Sequence, residues 1–167
     1  MCSSDLHVVL TARRRDRLQS VADACLKAGA ASAHALAADV GLTAEVETLA
    51  REVRARTNVV HVLVNNAGGA HGLDPVATAR DSDWEAMVQS NFLGLLRVTR
   101  ALLPWVPHHD GAWILNVGSI AGHAAYEGGA AYCGVKAAER SVTQALRLEL
   151  NGTGIRVGSI DPGMAET

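Results

Sequence analysis

The stretch WILNVGSIAGHAAYEGGAAYCGVK, residues 113–136, decides the fold of this chain. It opens with an apolar run, 113–117, whose branched and aromatic residues are typical of a β-strand. The run breaks at Gly118-Ser119, and a loop rich in glycine and alanine leads into a helix that we expect to begin near Tyr132. A strand followed by a loop and a helix is the repeating unit of α/β domains.

Tyr132 and Lys136 are four residues apart, so on a helix they share one face, one turn apart. An ammonium near a phenol favours the phenolate and lowers a reference pKa of about 10. A tyrosine in this setting can exchange protons near neutral pH, as general acid–base catalysis requires. The same spacing also arises by chance, as a buried ring beside a solvated lysine. Tyr126 is not a rival, because position 130 is alanine.

Small and polar residues follow the predicted strands at their carboxyl ends, where open α/β sheets bind ligands. Ser119 follows 113–117, and its hydroxyl can donate to a carbonyl oxygen or accept from an alcohol. Asn65-Asn66-Ala67-Gly68 and Pro162-Gly163 follow two further apolar runs. Taken singly, each segment could be an ordinary turn, and Asn91, in the middle of a predicted helix, could be a surface residue.

In this order and spacing, these residues resemble the classical short-chain dehydrogenase/reductase family over nearly the whole chain after residue 7. The resemblance implies an α/β fold, a doubly wound (Rossmann-type) parallel sheet with helices on both faces and strand order 3-2-1-4-5-6. It also implies that Tyr132 exchanges the proton with the substrate oxygen and that Ser119 holds that oxygen. Lys136 would bind the nicotinamide ribose, and Asn91 would hold a water that relays protons.

The end of the second family strand indicates NADP rather than NAD as the cofactor. A carboxylate at that position binds the ribose 2′-hydroxyl, whereas an arginine accommodates the 2′-phosphate. Here Ala12 is followed at once by Arg13 and Arg14, while Arg15 and Arg17 are expected to be solvated. The resemblance implies further cofactor contacts at Asp39, Val40, Asn66, Ala67, Gly68, Tyr132, Lys136, Pro162, Gly163 and Thr167. Asp39 could instead be an ordinary turn residue.

The two ends of the chain depart from the family pattern. Residues 1–6 fit nothing that follows, and we expect a non-native or disordered leader before a partial domain over 7–167. The first strand and its Gly-rich turn, which holds the pyrophosphate at a helix N-terminus, are absent, as is the last strand. Because the first strand would lie in the sheet's centre, between 7–12 and 59–64, we expect the 167-residue chain alone to be unstable.

Composition narrows the classes of function. The chain is 49% hydrophobic and 4% aromatic with a net charge of −2, so no strong nucleic-acid or membrane field is implied. No apolar run is long enough to span a bilayer, and no leader for secretion is visible, which makes the cytoplasm the expected compartment. Three scattered cysteines and histidines without ligand spacing predict neither a disulfide framework nor a metal site.

The segments around the site also suggest a substrate class. Residues 118–122, 126–129 and 161–164 look most like the bacterial branch that oxidises serine, allo-threonine and other 3-hydroxy acids such as 3-hydroxypropionate. The alternatives are a 3-oxoacyl carrier-protein reductase and an inactive truncated fragment. The apolar residues of the helices that carry Asn91 and Tyr132 exceed what one sheet face would cover, which predicts a homodimer or homotetramer.

Several local predictions concern element ends and faces. Leu18, Val21, Ala22 and Cys25 mark the buried face of the first helix, which Gly29 ends. Thr43 is a candidate N-cap, and 82–85 reads as a capping box. The continuous apolar run 59–64 predicts a strand that is buried on both faces.

Overall fold

The computed structural model describes residues 5–108 and 111–164, and strands alternate with helices along them. The strands are β1 His7–Ala12, β2 Ser32–Ala37, β3 Val62–Asn65, β4 Trp113–Val117 and β5 Arg156–Ile160. The helices are α1 Arg15–Lys27, α2 Thr43–Arg54, α3 Asp81–Met87, α4 Gly94–Leu102 and α5 Ala130–Glu149. A π-helical segment, Val88–Leu93, joins α3 to α4, and short 3-10 helices cover Leu103–Trp105 and Ile120–Gly122.

The sheet is in two parts, and every strand pair in it is parallel. β1 pairs with β2, and β4 pairs with β3 on one side and β5 on the other. Among the described residues, no strand lies between β1 and β3, so each of these two strands is hydrogen-bonded on one side only. The doubly wound parallel arrangement is confirmed, and the strand order within each part agrees with the prediction.

One apolar core joins the two parts of the sheet. Val40, after β2, and Val46 of α2 belong to the same buried cluster as Leu63 of β3 and Val98 of α4. Ile114, at the centre of β4, is fully buried within it. Burial of apolar surface contributes about 25 cal/mol per Å² to stability. The shared cluster therefore holds the two parts of the sheet together, although no described strand pair joins them.

β3 corrects the expectation of a strand with two buried faces. Leu63 and Asn65 are 6% and 9% exposed, whereas Val62 and Val64, on the opposite face, are 56% and 50% exposed. The strand is also shorter than predicted, because 59–61 lie before it. No described helix covers the valine face, so apolar residues that sequence alone would place inside remain in contact with water.

The helices begin and end close to the predicted positions, but their caps differ. α2 starts at Thr43 itself, with Leu42 as the N-cap, and the Glu45 carboxylate accepts a hydrogen bond of 2.7 Å from the Asp39 amide. The predicted capping box is also wrong: the N-cap of α3 is Arg80, two residues before Ser82, which places Ser82 inside the first turn.

The buried face of α1 is narrower than predicted. Leu18 and Ala22 are buried, but Val21 is 50% exposed, because α1 packs on the narrow two-stranded part of the sheet. Gly29 follows the end of α1 with a φ of +103°, a left-handed conformation that glycine adopts without strain. None of the helices in residues 5–108 and 111–164 combines the length and apolar character that a bilayer crossing requires.

Candidate active site

The predicted site residues follow the carboxyl ends of parallel strands. Arg13 and Arg14 follow β1, Asp39 follows β2, Asn66 follows β3 and Ser119 follows β4. In open parallel sheets this edge is where ligands bind, because the loops and the helix N-termini meet there. The predicted site residues therefore come together from stretches that are far apart in sequence.

Buried amides connect β3 to β4 just below that edge. The Asn65 side-chain amide donates to the Asn116 side-chain oxygen at 2.8 Å and to the Thr99 hydroxyl at 2.9 Å. Asn116 in turn donates to the Thr143 hydroxyl at 2.9 Å, and that hydroxyl donates to the Glu139 carbonyl at 2.9 Å. The network ties two strands to α4 and α5, as expected for buried polar groups, which need partners.

Asn91 lies in the π-helical segment and is fully buried, so a surface position is excluded. Its side-chain nitrogen donates to the carbonyls of Gly69 and Met87, both at 3.0 Å, and its side-chain oxygen accepts from the Gly69 amide at 3.1 Å. The loop after β3 is thereby fixed to the helix. At Gly68, with φ +147°, an added Cβ would lie 2.4 Å from that side-chain oxygen, so only glycine fits.

Ser119 begins the short 3-10 helix that follows β4. Its hydroxyl accepts a hydrogen bond of 3.2 Å from the Ala121 amide. The same turn packs tightly on α5, because a Cβ at Gly122 would lie 2.8 Å from the Lys136 carbonyl oxygen. This close approach holds the serine turn against the helix that carries Tyr132.

Lys136 and Tyr132 are neighbours on α5, as the spacing predicted. The Lys136 ammonium lies 5.8 Å from the centre of the Tyr132 ring and donates to the Val117 carbonyl at 3.2 Å. Its side chain is buried, so the solvated lysine that sequence also allowed is excluded. The contact with Val117 places a positive charge at the end of β4, two residues before Ser119.

Glu139 is a member of the site that the sequence reading missed. Its two carboxylate oxygens accept hydrogen bonds from the Lys136 ammonium at 2.9 and 3.1 Å, and both side chains are buried. Burial raises the pKa of Glu139, and the hydrogen bond and charge of Lys136 oppose that rise while Asp161 adds to it. The signal was available, because Lys and Glu three residues apart on a helix are neighbours.

Tyr126 differs from Tyr132 in its surroundings. It is 45% exposed, and its ring lies so close to Gly129 that a Cβ there would be 2.4 Å from the ring. Partial burial, with smaller contributions from Cys133 and Tyr132, raises the pKa of Tyr126. A raised pKa makes a phenol a poorer proton donor and leaves less phenolate at neutral pH, which is consistent with setting this tyrosine aside.

The residues predicted for the cofactor fall into exposed and buried groups. Arg13 and Arg14 are exposed, and no side-chain hydrogen bond or ion pair joins either to another described residue. Asp39 closes a tight turn by accepting from the Gly41 amide at 2.8 Å, whereas Val40 is buried in the core. Asn66, Ala67 and Gly68, at the start of the loop after β3, are exposed.

The segment after β5 completes the edge. The Pro162 carbonyl accepts from the Ile120 amide at 3.1 Å, and Gly163 lies beside the same isoleucine. The preceding residue, Asp161, pairs with His123 at 3.0 Å between carboxylate and imidazole. Thr167 lies outside the described residues.

One concave surface lies away from this edge. A groove of about 600 Å³ lies between α1, β2 and α2 and is lined by Arg15, Glu45 and Glu52 among others. A much smaller cavity adjoins Tyr132 and is lined by His71 and Trp84 among others. We place the site at Tyr132, because the groove contains none of the convergent polar groups described above.

Comparison with protein families decides the class of this chain. The model of the short chain dehydrogenase family matches residues 1–167. This chain belongs to the short chain dehydrogenase family. Oxidoreductase chemistry is the activity of that family, and in this member the Lys136 ammonium lies beside the Tyr132 ring and donates to Val117, two residues before Ser119.

Two kinds of named dehydrogenase are similar in sequence to this chain. The NADP-dependent 3-hydroxy acid dehydrogenase YdfG of Salmonella typhi is 40% identical over 157 residues, which are 94% of this chain and 62% of that protein. The serine 3-dehydrogenase of Agrobacterium fabrum is 38% identical over 160 residues, 96% of this chain and 62% of that protein. This chain thus spans less than two thirds of the length of either relative.

Solved structures give the same comparison in three dimensions. A serine dehydrogenase from Escherichia coli matches with a TM-score of 0.85 and 36% identity, over 95% of this chain and 72% of that one. A closed form of serine dehydrogenase in complex with NADP+ matches with a TM-score of 0.86 and 36% identity, over 95% of this chain and 62% of that one.

Proposed function

We propose that this dehydrogenase interconverts an alcohol and a carbonyl compound with NADP, and that its substrate is a 3-hydroxy acid such as serine, allo-threonine or 3-hydroxypropionate. The observation that carries the proposal is the buried Lys136 ammonium beside the Tyr132 ring, at the end of β4. The names of the relatives support the substrate class and the cofactor.

The protein groups divide the proton chemistry between them. Tyr132 gives a proton to the substrate oxygen in the direction of reduction and takes one in the direction of oxidation. Ser119, whose hydroxyl oxygen already accepts from the Ala121 amide, keeps its own O–H free to donate to that oxygen. Lys136, whose ammonium lies 5.8 Å from the centre of the Tyr132 ring, binds the nicotinamide ribose. The tyrosine and the serine thus act on one substrate atom.

The exposed groups at the strand edge fit an anionic dinucleotide. Arg13 and Arg14 offer guanidinium donors to the 2′-phosphate, and the small residues Ala67 and Gly68 leave the loop after β3 open to a ribose. The buried Thr11 hydroxyl, near the end of β1, has no hydrogen-bond partner among the described residues. When bound, NADP supplies the hydride acceptor, and NADPH the hydride donor, for the substrate carbon.

Asn91 also makes contacts that the sequence did not predict. Its side-chain donors and acceptor are bonded to Gly69 and Met87, so we propose that its side chain fixes the loop after β3. Asn91 lies in a π-helical segment, and such segments inside α-helices are frequent at functional sites. A relay water beside Asn91 remains a prediction.

Assembly and compartment complete the proposal. We propose a homodimer or homotetramer in the cytoplasm that acts on a small molecule. Exposed apolar residues on the two long helical segments support self-association, since Leu148 of α5 is 80% exposed and Val88 of the π segment is 39% exposed. Sedimentation of the purified protein tests this part.

The test uses the complete gene product, meaning the protein encoded by the whole open reading frame that contains this chain. NADP-linked oxidation of serine and 3-hydroxypropionate should be measured beside reduction of a 3-oxoacyl thioester. We expect activity with the hydroxy acids, a loss of about 10²–10⁴-fold in kcat for Tyr132→Phe, and little change for Tyr126→Phe. Activity on thioesters alone would favour the 3-oxoacyl carrier-protein reductase, and no activity on either would refute the proposal.

A further inference from the structure

The Lys136 ammonium is held by acceptors within the protein. These are the two carboxylate oxygens of Glu139, at 2.9 and 3.1 Å, and the carbonyl of Val117, at 3.2 Å. An ammonium has three N–H donors and no acceptor. The proposed role of Lys136 requires it to donate to ribose hydroxyls as well, so the buried Glu139 carboxylate competes with the cofactor for the ammonium.

Glu139 is the acceptor that can yield. Val117 is part of β4 and cannot move without disturbing the sheet, whereas Glu139 reaches Lys136 with a flexible side chain from the next turn of α5. Glu139 is only 3% exposed, and its carboxylate faces a second negative charge at Asp161. Burial and this like charge both disfavour the anion, while the ammonium alone stabilises it.

The charged groups around this pair form a short chain at the ends of β4 and β5. Asp161 pairs with His123, whose imidazole is exposed to solvent. On the other side, the Lys136 ammonium faces the Tyr132 ring. The Glu139 carboxylate is therefore held by the lysine, while the negative charge of Asp161 disfavours its ionised form.

We propose that Glu139 is a positioning residue that holds the Lys136 ammonium away from the cofactor ribose and compensates its charge until the cofactor displaces one carboxylate contact. This inference rests on the proposed function, because it assigns the lysine to the cofactor site. It predicts that removing the Glu139 charge makes cofactor binding tighter. NADPH is an anion, and without that charge it no longer competes with the Glu139 carboxylate for the Lys136 ammonium. A residue with a merely structural role would not produce that gain.

The first experiment measures NADPH affinity by fluorescence titration of the complete gene product, without turnover. We expect Glu139→Gln to bind NADPH about threefold to tenfold more tightly than the unchanged protein, which corresponds to about 0.7–1.4 kcal/mol. Glu149→Gln, at the exposed end of the same helix, is the matched control and should leave affinity unchanged. Unchanged or weaker binding in Glu139→Gln would overturn the inference. If Glu139→Gln does not fold, Glu139→Met gives the same comparison, because it also removes the negative charge and has a side chain of similar length.

Lys136→Met separates this inference from the proposed function. If the lysine belongs to the cofactor site, Lys136→Met should weaken NADPH binding. A normal affinity in that variant would refute the assignment of the site itself. Weaker binding in Lys136→Met together with no gain in Glu139→Gln would refute only the positioning role of Glu139.

Discussion

The side-chain amide of Asn65, at the end of β3, donates a hydrogen bond of 2.8 Å to the side-chain oxygen of Asn116, its partner across the ladder in β4. Both residues are buried, and further bonds continue the contact to α4 and α5. The loop that leaves β3 and the turn that leaves β4 therefore start from positions that are fixed relative to each other. The first prediction tests this contact.

Replacement of Asn116 with alanine should lower the free energy of unfolding by about 2–4 kcal/mol. The variant leaves the Asn65 amide without one acceptor and the Thr143 hydroxyl without its donor, and each buried group left unpaired costs about 1–3 kcal/mol. Urea unfolding of the complete gene product measures the change. Asn66→Ala, exposed and next in sequence to Asn65, should change stability by less than about 0.5 kcal/mol. Equal losses in the two variants would contradict the network.

Gly68→Ala should weaken NADPH binding and destabilise the protein by about 1–3 kcal/mol. Its φ is +147°, and an added Cβ would lie 2.4 Å from the Asn91 side-chain oxygen, which would open the contact between the β3 loop and the π segment. Thermal unfolding and NADPH titration measure the two effects. Gly69→Ala is a close control, since no atom lies within 4 Å of its added Cβ. The prediction is refuted if the two variants behave alike.

Arg13→Ala and Arg14→Ala should raise the KM for NADP without an equal effect on NAD. A hydrogen bond to a charged group contributes about 1.5–3 kcal/mol, so loss of one phosphate contact should reduce kcat/KM for NADP by about 10- to 100-fold. Steady-state kinetics with both cofactors measure the ratio. Arg17→Ala, an exposed arginine of α1, should leave the ratio unchanged. A fall that is the same for NADP and NAD would remove the arginines from the 2′-phosphate site.

The raised pKa of Glu139 predicts a specific dependence of stability on pH. Because its folded-state pKa lies above its ordinary value of 4.5, Glu139 binds a proton more readily in the folded protein than in the unfolded one. The stability from that proton is complete below pH 4.5 and is lost as the pH rises through the folded-state pKa. Relative to Glu139→Gln, the unchanged protein should therefore lose stability over that interval.

Urea unfolding at a series of pH values from about 4 to 7 measures the difference in the free energy of unfolding between the unchanged protein and Glu139→Gln. The exposed control Glu149→Gln should follow the unchanged protein at every pH. If the difference between the unchanged protein and Glu139→Gln has no slope, or a slope of the opposite sign, the pKa of Glu139 is not raised by burial.

Local pattern was sufficient for the elements that carry the chemistry. Tyr132 and Lys136 share a helical face because 3.6 residues complete a turn, and β4 ends at Val117 because Gly118 and Ser119 follow it. The caps at Thr43 and 82–85 were predicted wrongly. Helix ends depend on the register of one or two residues, which packing decides.

The amino-acid sequence by itself determined the order of strands and helices, the parallel α/β class and the spacing of the tyrosine, the lysine and the serine, because these depend on residue periodicity and on neighbours along the chain. Only the tertiary structure decided that Glu139 is buried against Lys136, that Asn91 fixes the β3 loop, and that one face of β3 is exposed. Those facts depend on which elements pack together, and burial and pairing of polar groups are properties of such contacts rather than of any single segment.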